Sequence, residues 1–165
     1  MDFPLGNPEP IDLPNVLFEN LGIPKNQIIS TYKNEFKEEF VAVIEVNSEK
    51  LVRELSPMWY KLLNTNYGME INGVYITAKS DMDNVDFVSR CFFPWIGINE
   101  DPVTGSAHTV LGLYWKKKLN KHKLVAHQVS NRLGKLWLKI PDENPNKRIF
   151  IKGNAITTAR GTFLL

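Results

Sequence analysis

The sequence lacks several features that would point to particular classes of protein. Its 165 residues contain one cysteine, so an internal disulfide cannot form and the chain suits a reducing compartment. No run approaches the roughly 18–20 consecutive apolar residues that a membrane-spanning helix needs. The formal net charge is only +2, which is too small to argue for nucleic acid or an acidic membrane as a partner. Together with a proline-broken start unlike a secretory signal, these absences predict a cytoplasmic protein without nucleic-acid or membrane partners.

Metal and thiol chemistry also find little support in the sequence. His122 and His127 have no Cys, Asp or Glu at metal-ligand spacing, so we expect no metal site. Cys91 lies in an apolar segment and is predicted to be a buried strand residue rather than a nucleophile. The basic run 116–123 lacks the aromatic stacking partners that a nucleic-acid interface would need.

The prolines divide the chain unevenly. Residues 1–14 carry four of the ten prolines and are predicted to be an extended, linker-like lead-in rather than a packed element. Residues 15–165 contain no repeat, low-complexity tract or internal linker, and 43% of the chain is hydrophobic, as in globular proteins. The sequence therefore predicts one domain over 15–165.

Short apolar segments separated by polar turns dominate this domain, and their composition is typical of strands. One short helix should begin near Pro14 and end at Gly22, and a second should span Ser48–Leu55. A charged turn is expected over Lys33–Glu39. The predicted strands are Gln27–Tyr32, Phe40–Val46, Val74–Lys79, Asp86–Phe93, Leu124–Val129, Lys135–Ile140, Arg148–Lys152 and Ala155–Phe163.

One longer helix stands out among these strands. The segment Ser106–Leu119 has apolar residues around nearly its whole circumference, which predicts a helix buried on all sides in its first half. Three lysines, Lys116 to Lys118, lie in its last turn, where positive charge complements the carboxyl end of a helix. We therefore predict an α+β fold, in which a curved antiparallel sheet or barrel wraps around one buried central helix.

The stretch Glu100–His108 is the most informative part of the chain. Pro102 biases Asp101 towards extended backbone, so its carboxylate is held at a defined place next to a helix start. Gly105 allows a ligand to approach the main chain or supplies a positive φ at the turn. The unpaired N–H groups of Gly105, Ser106 and Ala107 could hold a carboxylate or an oxyanion. The alternative is purely local, with Thr104 or Ser106 as an N-cap and Asp101 as a turn former.

The segment from Asp86 to Trp115 resembles the phenazine-biosynthesis-like (PhzF-type) family. The string Asp101-Pro-Val-Thr-Gly-Ser-Ala-His carries the resemblance, with support from Gln128-Val-Ser-Asn-Arg and the strands around Gly153. The resemblance implies the diaminopimelate-epimerase-like fold, in which two similar halves each wrap a sheet around a central helix. It also implies a cofactor-independent isomerase that moves a proton on a small carboxylate substrate, so no cofactor is expected.

Carried onto this sequence, the resemblance makes Asp101 an active-site acid and Gly105–Ser106 the turn that faces the substrate. We assign catalytic roles to Asp101 and Ser106, and substrate contacts to Thr104, Gly105, Ser106 and Ala107. A carboxylate beside backbone donors is the arrangement that stabilises an enolate-like intermediate during proton transfer.

The resemblance covers only the second half of the family pattern. The first half normally supplies the general base, a glutamate in a Gly-Asn-Pro context, and a Gly-His pair. Gly6-Asn7-Pro8 lies in the region of the linker, and Glu45 lies in mid-strand and is not that base. Leu113 and Leu133 replace a proline and a glycine of the pattern. We therefore expect a half-site that needs a complementary N-terminal half or a homodimer.

Two further residues have two interpretations each. Arg90 could hold a substrate carboxylate or pair with Asp101 or Glu100, and we favour the pairing. His108 could relay a proton or be a hydrogen-bonded core histidine, and we favour the core histidine. Trp95 is expected near the mouth of the pocket. At the level of function, the alternative to an isomerase half is a non-catalytic module for ligand binding or assembly, as a homodimer or a pseudoenzyme.

Overall fold

The computed structural model describes residues 1–36, 39–143 and 145–162 of the chain. Within these ranges the helices are α1 (Asn15–Leu21), α2 (Glu49–Glu54), α3 (Trp59–Asn64) and α4 (Gly105–Leu119). The strands are β1 (Asp2–Pro4), β2 (Glu9–Pro10), β3 (Ile28–Phe36), β4 (Glu39–Val46), β5 (Gly73–Lys79), β6 (Phe87–Phe93), β7 (Ile98–Asp101), β8 (Lys123–Gln128), β9 (Gly134–Lys139) and β10 (Arg148–Gly153).

All ten strands belong to one sheet in the order β1-β10-β9-β8-β6-β5-β4-β3-β2, with β7 paired to β6. The α+β class is therefore confirmed. The expected antiparallel pattern is wrong at two places, because β4 pairs with β5 and β6 pairs with β8 in parallel. Each parallel pair needs a crossover, and the chain supplies one through α2 and α3 and the other through α4. The sheet is open between its edge strands β1 and β2, so it is not a closed barrel.

The sheet curves around α4, which confirms the buried helix at the centre of the predicted fold. Strands β4, β5, β6, β8, β9 and β10 contribute side chains to the core around this helix, whose buried residues include Val110, Leu111 and Trp115. Trp115 stacks on Phe87 of β6, with the ring centroids 5.5 Å apart. Ser106 remains exposed and Tyr114 is half-buried, so the first turns of the helix are not buried on every side.

A second core lies on the opposite face of β4, β5 and β6, under α1, α2 and α3. Leu17, Phe18 and Leu21 of α1 are buried there, as the sequence predicts. The first helix ends at Gly22, whose φ of 77° is the left-handed conformation that glycine adopts without strain. The second helix begins after Ser48, whose side chain accepts a hydrogen bond from the Leu51 N–H.

The structure departs from the predicted elements in several places. Short strands form at both ends of the proline-rich lead-in, where β1 pairs with β10 and β2 pairs with β3. The predicted turn at Lys33–Glu39 is partly wrong, because β3 continues through Phe36, while Lys37 and Glu38 lie outside the described residues. Residues 155–162 form no strand, and Phe163 lies outside the described residues. The sequence patterns also missed α3 and β7.

The N-terminal segment crosses α4 on its way between the two edges of the sheet. The Leu5 N–H donates to Lys147 O at 2.7 Å, and the Gly6 N–H donates to Thr109 O at 3.3 Å. A side chain at Gly6 would clash with Val110, so glycine lets the segment lie directly against the helix. Among the described residues, no helix has the length and apolar character needed to span a bilayer.

Candidate active site at the N-terminal end of helix α4

The Asp101 carboxylate is held at the end of β7 by neutral groups. Asp101 pairs with Cys91 of β6 in the sheet register, which sets its backbone. The Thr104 hydroxyl donates to Asp101 Oδ2 at 2.6 Å. Among the residues that the structure describes, no Lys or Arg side chain forms an ion pair with this carboxylate.

Gln128 is the residue that fixes this loop, and the sequence analysis did not assign it a role. Its Nε2 donates to Asp101 O at 2.6 Å and to Thr104 Oγ1 at 3.0 Å. Its Oε1 accepts from the Thr104 N–H at 2.8 Å. The side chain is fully buried, so these bonds are formed away from water. The signal available in the sequence was a polar glutamine near the end of a largely apolar predicted strand.

The loop is also held from its other side. The Ser130 hydroxyl donates to Pro102 O at 2.9 Å. Val103 packs so closely on Gly134 that a Cβ at Gly134 would overlap its side chain, so only glycine permits this contact. The residue next to Gly134 is Leu133, and its replacement of a glycine leaves this close approach in place.

The first turn of α4 is open. Thr104 occupies the N-cap position, but its side chain forms no cap hydrogen bond because its hydroxyl is used on Asp101. Gly105 does not have a positive φ, so the second of its two predicted roles is wrong. Apart from its chain neighbours and the backbone of its own helix, no atom of the described residues lies within 4 Å of the place where a Cβ of Gly105 would stand. Gly105 is partly exposed and Ser106 is exposed, whereas Ala107 is fully buried, so the expected substrate contact of Ala107 finds no open surface. The accessible part of this turn is therefore formed by Gly105 and Ser106.

A cavity of about 470 Å³ lies beside this turn. Ser106 and Thr109 of α4 form one wall, and the N-terminal segment with the ends of β3, β5 and β6 forms the others. Its described lining is mostly apolar and includes one charged residue, Glu35. The residues that line it are Phe3, Pro4, Leu5, Gly6, Asn7, Asn34, Glu35, Val41, Asn72, Tyr75, Phe93, Ile96, Ser106 and Thr109. Ile96 lines the cavity, whereas Trp95 packs on Tyr67 with ring centroids 6.3 Å apart, so the expectation for Trp95 is wrong.

Arg90 pairs with Glu100, as the favoured interpretation predicts. Its Nε and Nη2 donate to the two carboxylate oxygens of Glu100 at 2.7 and 2.8 Å. Its Nη1 donates to Leu55 O at 2.7 Å at the end of α2. The guanidinium is therefore saturated by structural partners and ties α2 to β7.

His108 is a fully buried histidine, one turn beyond Thr104 on α4. Its Nδ1 lies 2.7 Å from Thr104 O, so it is hydrogen-bonded in the core as favoured. Burial lowers the pKa of His108 to about 4, against a smaller opposing effect of the bond to Thr104. The imidazole is neutral at physiological pH, which argues against the proton relay.

The other chemically capable side chains have structural surroundings. Burial raises the pKa of the Cys91 thiol far above its usual range, so it stays protonated. The His122 ring pairs with Asp142 at 2.6 Å on the surface. Over residues 1–36, 39–143 and 145–162, no three His, Cys, Asp or Glu side chains are arranged to share a metal ion.

The opposite end of α4 carries a second carboxylate cluster. The nearly fully buried Glu45 of β4 accepts from the Lys118 ammonium at 2.6 Å, from the Ser30 hydroxyl at 3.2 Å and from the Tyr114 hydroxyl. Burial, and then the bond to Glu45, raise the pKa of Tyr114. Every polar group in this cluster has a partner, so Glu45 is a structural carboxylate, in agreement with the expectation that it is not the general base.

Comparison with known proteins gives a consistent result. The pattern that describes the phenazine biosynthesis-like protein family matches residues 6–161. An "uncharacterized isomerase" of Halalkalibacterium halodurans is 41% identical over 166 residues, which cover all of this chain and 57% of that protein. Another of Pseudomonas aeruginosa is 39% identical over 165 residues, with the same coverage of each chain.

Solved structures agree with these relatives. A putative phenazine biosynthesis PhzC/PhzF protein of Clostridium difficile superposes with a TM-score of 0.76 at 32% identity, over all of this chain and 57% of that one. A PhzF-family protein of Enterococcus faecalis gives a TM-score of 0.73 at 34% identity, over 94% of this chain and 55% of that one. The chain thus spans little more than half the length of the relatives that it matches. With the Asp101 loop and the mixed open sheet, these matches show that the chain belongs to the phenazine biosynthesis-like protein family.

Proposed function

We propose that this chain carries the acid-bearing part of an isomerase that moves a proton on a small carboxylate-bearing substrate. One observation carries the proposal. Among the described residues, the Asp101 carboxylate accepts from the neutral Thr104 hydroxyl and forms no ion pair with Lys or Arg, and it precedes a helix turn without a side-chain cap whose Ser106 lines a cavity. The isomerase names of the similar proteins from Halalkalibacterium and Pseudomonas support the reaction class.

The chemistry follows from the charges that develop during such a reaction. Removal of a proton from a carbon next to a carboxylate or carbonyl group places negative charge on the substrate oxygens. The N–H groups of Gly105 and Ser106 can stabilise this charge, and water-poor surroundings strengthen the effect. Asp101, in its protonated form, then returns a proton at another carbon, so that atoms and charges balance without a cofactor.

We propose that the general base comes from outside this chain. The described lining of the cavity holds no histidine, and its one carboxylate, Glu35, is paired with Lys33 at 2.7 Å. Three apolar side chains flank the loop and are exposed, with fractional exposures of 59% for Ile96, 47% for Ile98 and 41% for Val103. Exposed apolar surface at a site supports a partner that packs on it. The remaining part of the longer relatives corresponds to such a complementary half, and together the two would form a diaminopimelate-epimerase-like fold.

The test is solvent deuterium exchange into a panel of small amino and hydroxy carboxylates in D₂O. The sample is this chain combined with its complementary half. Asp101→Asn should lower the exchange rate at least 100-fold, because general acid catalysis typically contributes about 10²–10⁴. Ser106→Ala should lower the rate less, since the backbone donors remain. Asp142→Asn, an exposed aspartate in a distant turn, is the matched control and should exchange at the parent rate. Turnover that survives Asp101→Asn would contradict the proposal.

The same exposed apolar residues favour one other function, a non-catalytic module that binds a ligand or assembles as a homodimer. A two-fold dimer could place two Asp101 loops opposite each other. Light scattering over a range of concentrations and thermal-shift measurements with small carboxylates distinguish the two functions. A dimer whose melting temperature rises with a carboxylate, but which exchanges no deuterium, would favour the binding module.

A further inference from the structure

His108 has an unusual set of contacts for a core histidine. One ring nitrogen, Nδ1, bonds to the Thr104 carbonyl, while the other, Nε2, is buried with no hydrogen-bond partner among the described residues. The ring is stacked on Phe87, with centroids 6.0 Å apart and an interplanar angle of 27°. A buried nitrogen without a partner is unfavourable, so its retention beside the candidate site needs an explanation.

The contact with Thr104 determines which nitrogen carries the proton. A carbonyl oxygen only accepts hydrogen bonds, so Nδ1 must carry the hydrogen and Nε2 must be an acceptor. Thr104 is the link to the candidate acid, because its hydroxyl donates to Asp101 and its N–H donates to Gln128. The imidazole is therefore linked to Asp101 by hydrogen bonds that run through Thr104.

The strand next to His108 leaves Nε2 without a hydrogen bond. Phe87, Ser89 and Cys91 alternate along β6 and share the face that packs on α4. The Phe87 ring stacks on His108. The Ser89 hydroxyl is itself buried without a partner in the described part of the chain, so it does not bond to His108. Among the described residues, the Thr104 carbonyl alone is hydrogen-bonded to this ring, so it fixes the tautomer.

We propose that His108 is a positioning residue for the Asp101 loop, as a neutral imidazole protonated on Nδ1. The Thr104 carbonyl selects this tautomer because it can only accept a hydrogen bond, and the tautomer supplies the donor that holds Thr104. Thr104 in turn keeps its hydroxyl pointed at Asp101 rather than at the helix end. The catalytic meaning of this chain of contacts rests on the proposed isomerase function, whereas the tautomer does not.

The first test measures the tautomer directly. Two-dimensional ¹H–¹⁵N NMR of the ¹⁵N-histidine-labelled full-length protein at pH 7 should show a protonated Nδ1 and an unprotonated Nε2 for His108. In Ser89→Ala the Nδ1-protonated tautomer should persist, because no hydrogen bond joins Ser89 to the ring. A proton on Nε2, or on both nitrogens, would overturn the proposal. This measurement is independent of any catalytic activity.

The second test asks whether the imidazole positions the loop. Phe at position 108 fills the volume without a donor, whereas Asn presents an amide N–H near the position of Nδ1. His108→Phe should raise hydrogen exchange of the Thr104 amide at least tenfold, and His108→Asn should restore it to within about threefold of the parent. His127→Phe is the matched control, since that histidine is also buried with an unpartnered Nε2 but points away from the loop.

The outcomes separate this inference from the proposed function. Equal exchange of the Thr104 amide in the parent and in His108→Phe would show that the histidine only fills space, and would overturn the positioning role. If Asp101→Asn leaves deuterium exchange into substrate unchanged while the NMR results hold, the proposed isomerase function fails and the positioning role stands. If both hold, His108→Phe should lower the substrate exchange rate and His108→Asn should recover part of it.

Discussion

The two ends of helix α4 hold carboxylates in opposite ways. At its carboxyl end, Glu45 is buried and paired with the Lys118 ammonium. At its amino end, Asp101 is partly exposed and, among the described residues, its carboxylate accepts from the Thr104 hydroxyl and forms no ion pair with Lys or Arg. A buried carboxylate that is paired with a cation is closed off from ligands, whereas a partly exposed carboxylate near an open helix end can be reached by one. The comparison separates a structural acid from a candidate catalytic acid on the same helix.

The largest effect should come from breaking the cluster at the carboxyl end. Lys118→Met leaves the Glu45 charge buried and unpaired, and should lower the free energy of unfolding by about 2–4 kcal/mol, less than for a fully buried pair. Urea denaturation measures this loss. Lys117→Met, the exposed neighbour, should change stability by less than about 0.5 kcal/mol. Adding Glu45→Gln to Lys118→Met should recover much of the loss. A loss of the same size in Lys117→Met would remove the contrast between the two ends.

A pH-dependent effect should appear at the amino end. In the folded chain the pKa of His108 is about 4, below the ordinary histidine value of 6.5, so the unfolded chain takes up a proton first as the pH falls. The stability due to neutral His108 is complete above pH 6.5 and is lost between pH 6.5 and 4. The loss should approach roughly 3 kcal/mol. Thermal denaturation of the parent and His108→Phe over this range gives the difference, and parallel pH curves would contradict the prediction.

Gln128→Leu should have a smaller effect of about 1–3 kcal/mol, because it leaves the Thr104 N–H and the Asp101 carbonyl without their buried partner. Gln128→Glu keeps an acceptor for Thr104 and should be milder at acid pH, where its carboxyl group can also donate. Chemical denaturation at two pH values checks both variants. Identical stabilities for the leucine variant and the parent would show that the glutamine does not hold the loop.

Asp101→Asn should have the smallest effect on stability, below about 1 kcal/mol, since the amide oxygen can still accept from the Thr104 hydroxyl. Its thermal denaturation should resemble that of the parent, while its deuterium exchange activity should be lost. A large loss of stability would place Asp101 with the structural acids such as Glu45.

The predictable parts of the fold depend on neighbours in sequence. The end of α1 at Gly22, the start of α2 at Ser48 and nearly the whole of α4 follow from capping residues and apolar spacing, which act over a few residues. The pairing of Arg90 with Glu100 was also predictable, because the two residues have opposite charges and lie only 10 positions apart in the sequence. By contrast, residues 155–162 have strand-like composition but form no strand.

Long-range partners were not predictable in the same way. The Gln128 side chain meets Asp101 and Thr104 from 27 and 24 residues away. Lys118 meets Glu45 from 73 residues away, although both its spacing and its place in a basic run suggested a solvated side chain. Short strands such as β1 have too few residues to show the two-residue hydrophobic period that predicts a strand. They form because they can pair with the edge of a longer strand, as β1 does with β10.

By itself, the sequence determined the α+β class, the buried central helix and the acid loop, because hydrophobic periodicity, proline, glycine and capping residues act locally. Only the tertiary structure decided that the sheet is mixed and open, that Gln128 and His108 are hydrogen-bonded to the loop, and that Glu45 pairs with Lys118. Those outcomes depend on which distant groups the topology brings together and on whether burial leaves each of them a partner. At the two ends of α4, the same physics buries one carboxylate in an ion pair and leaves Asp101 partly exposed beside the open end of the helix.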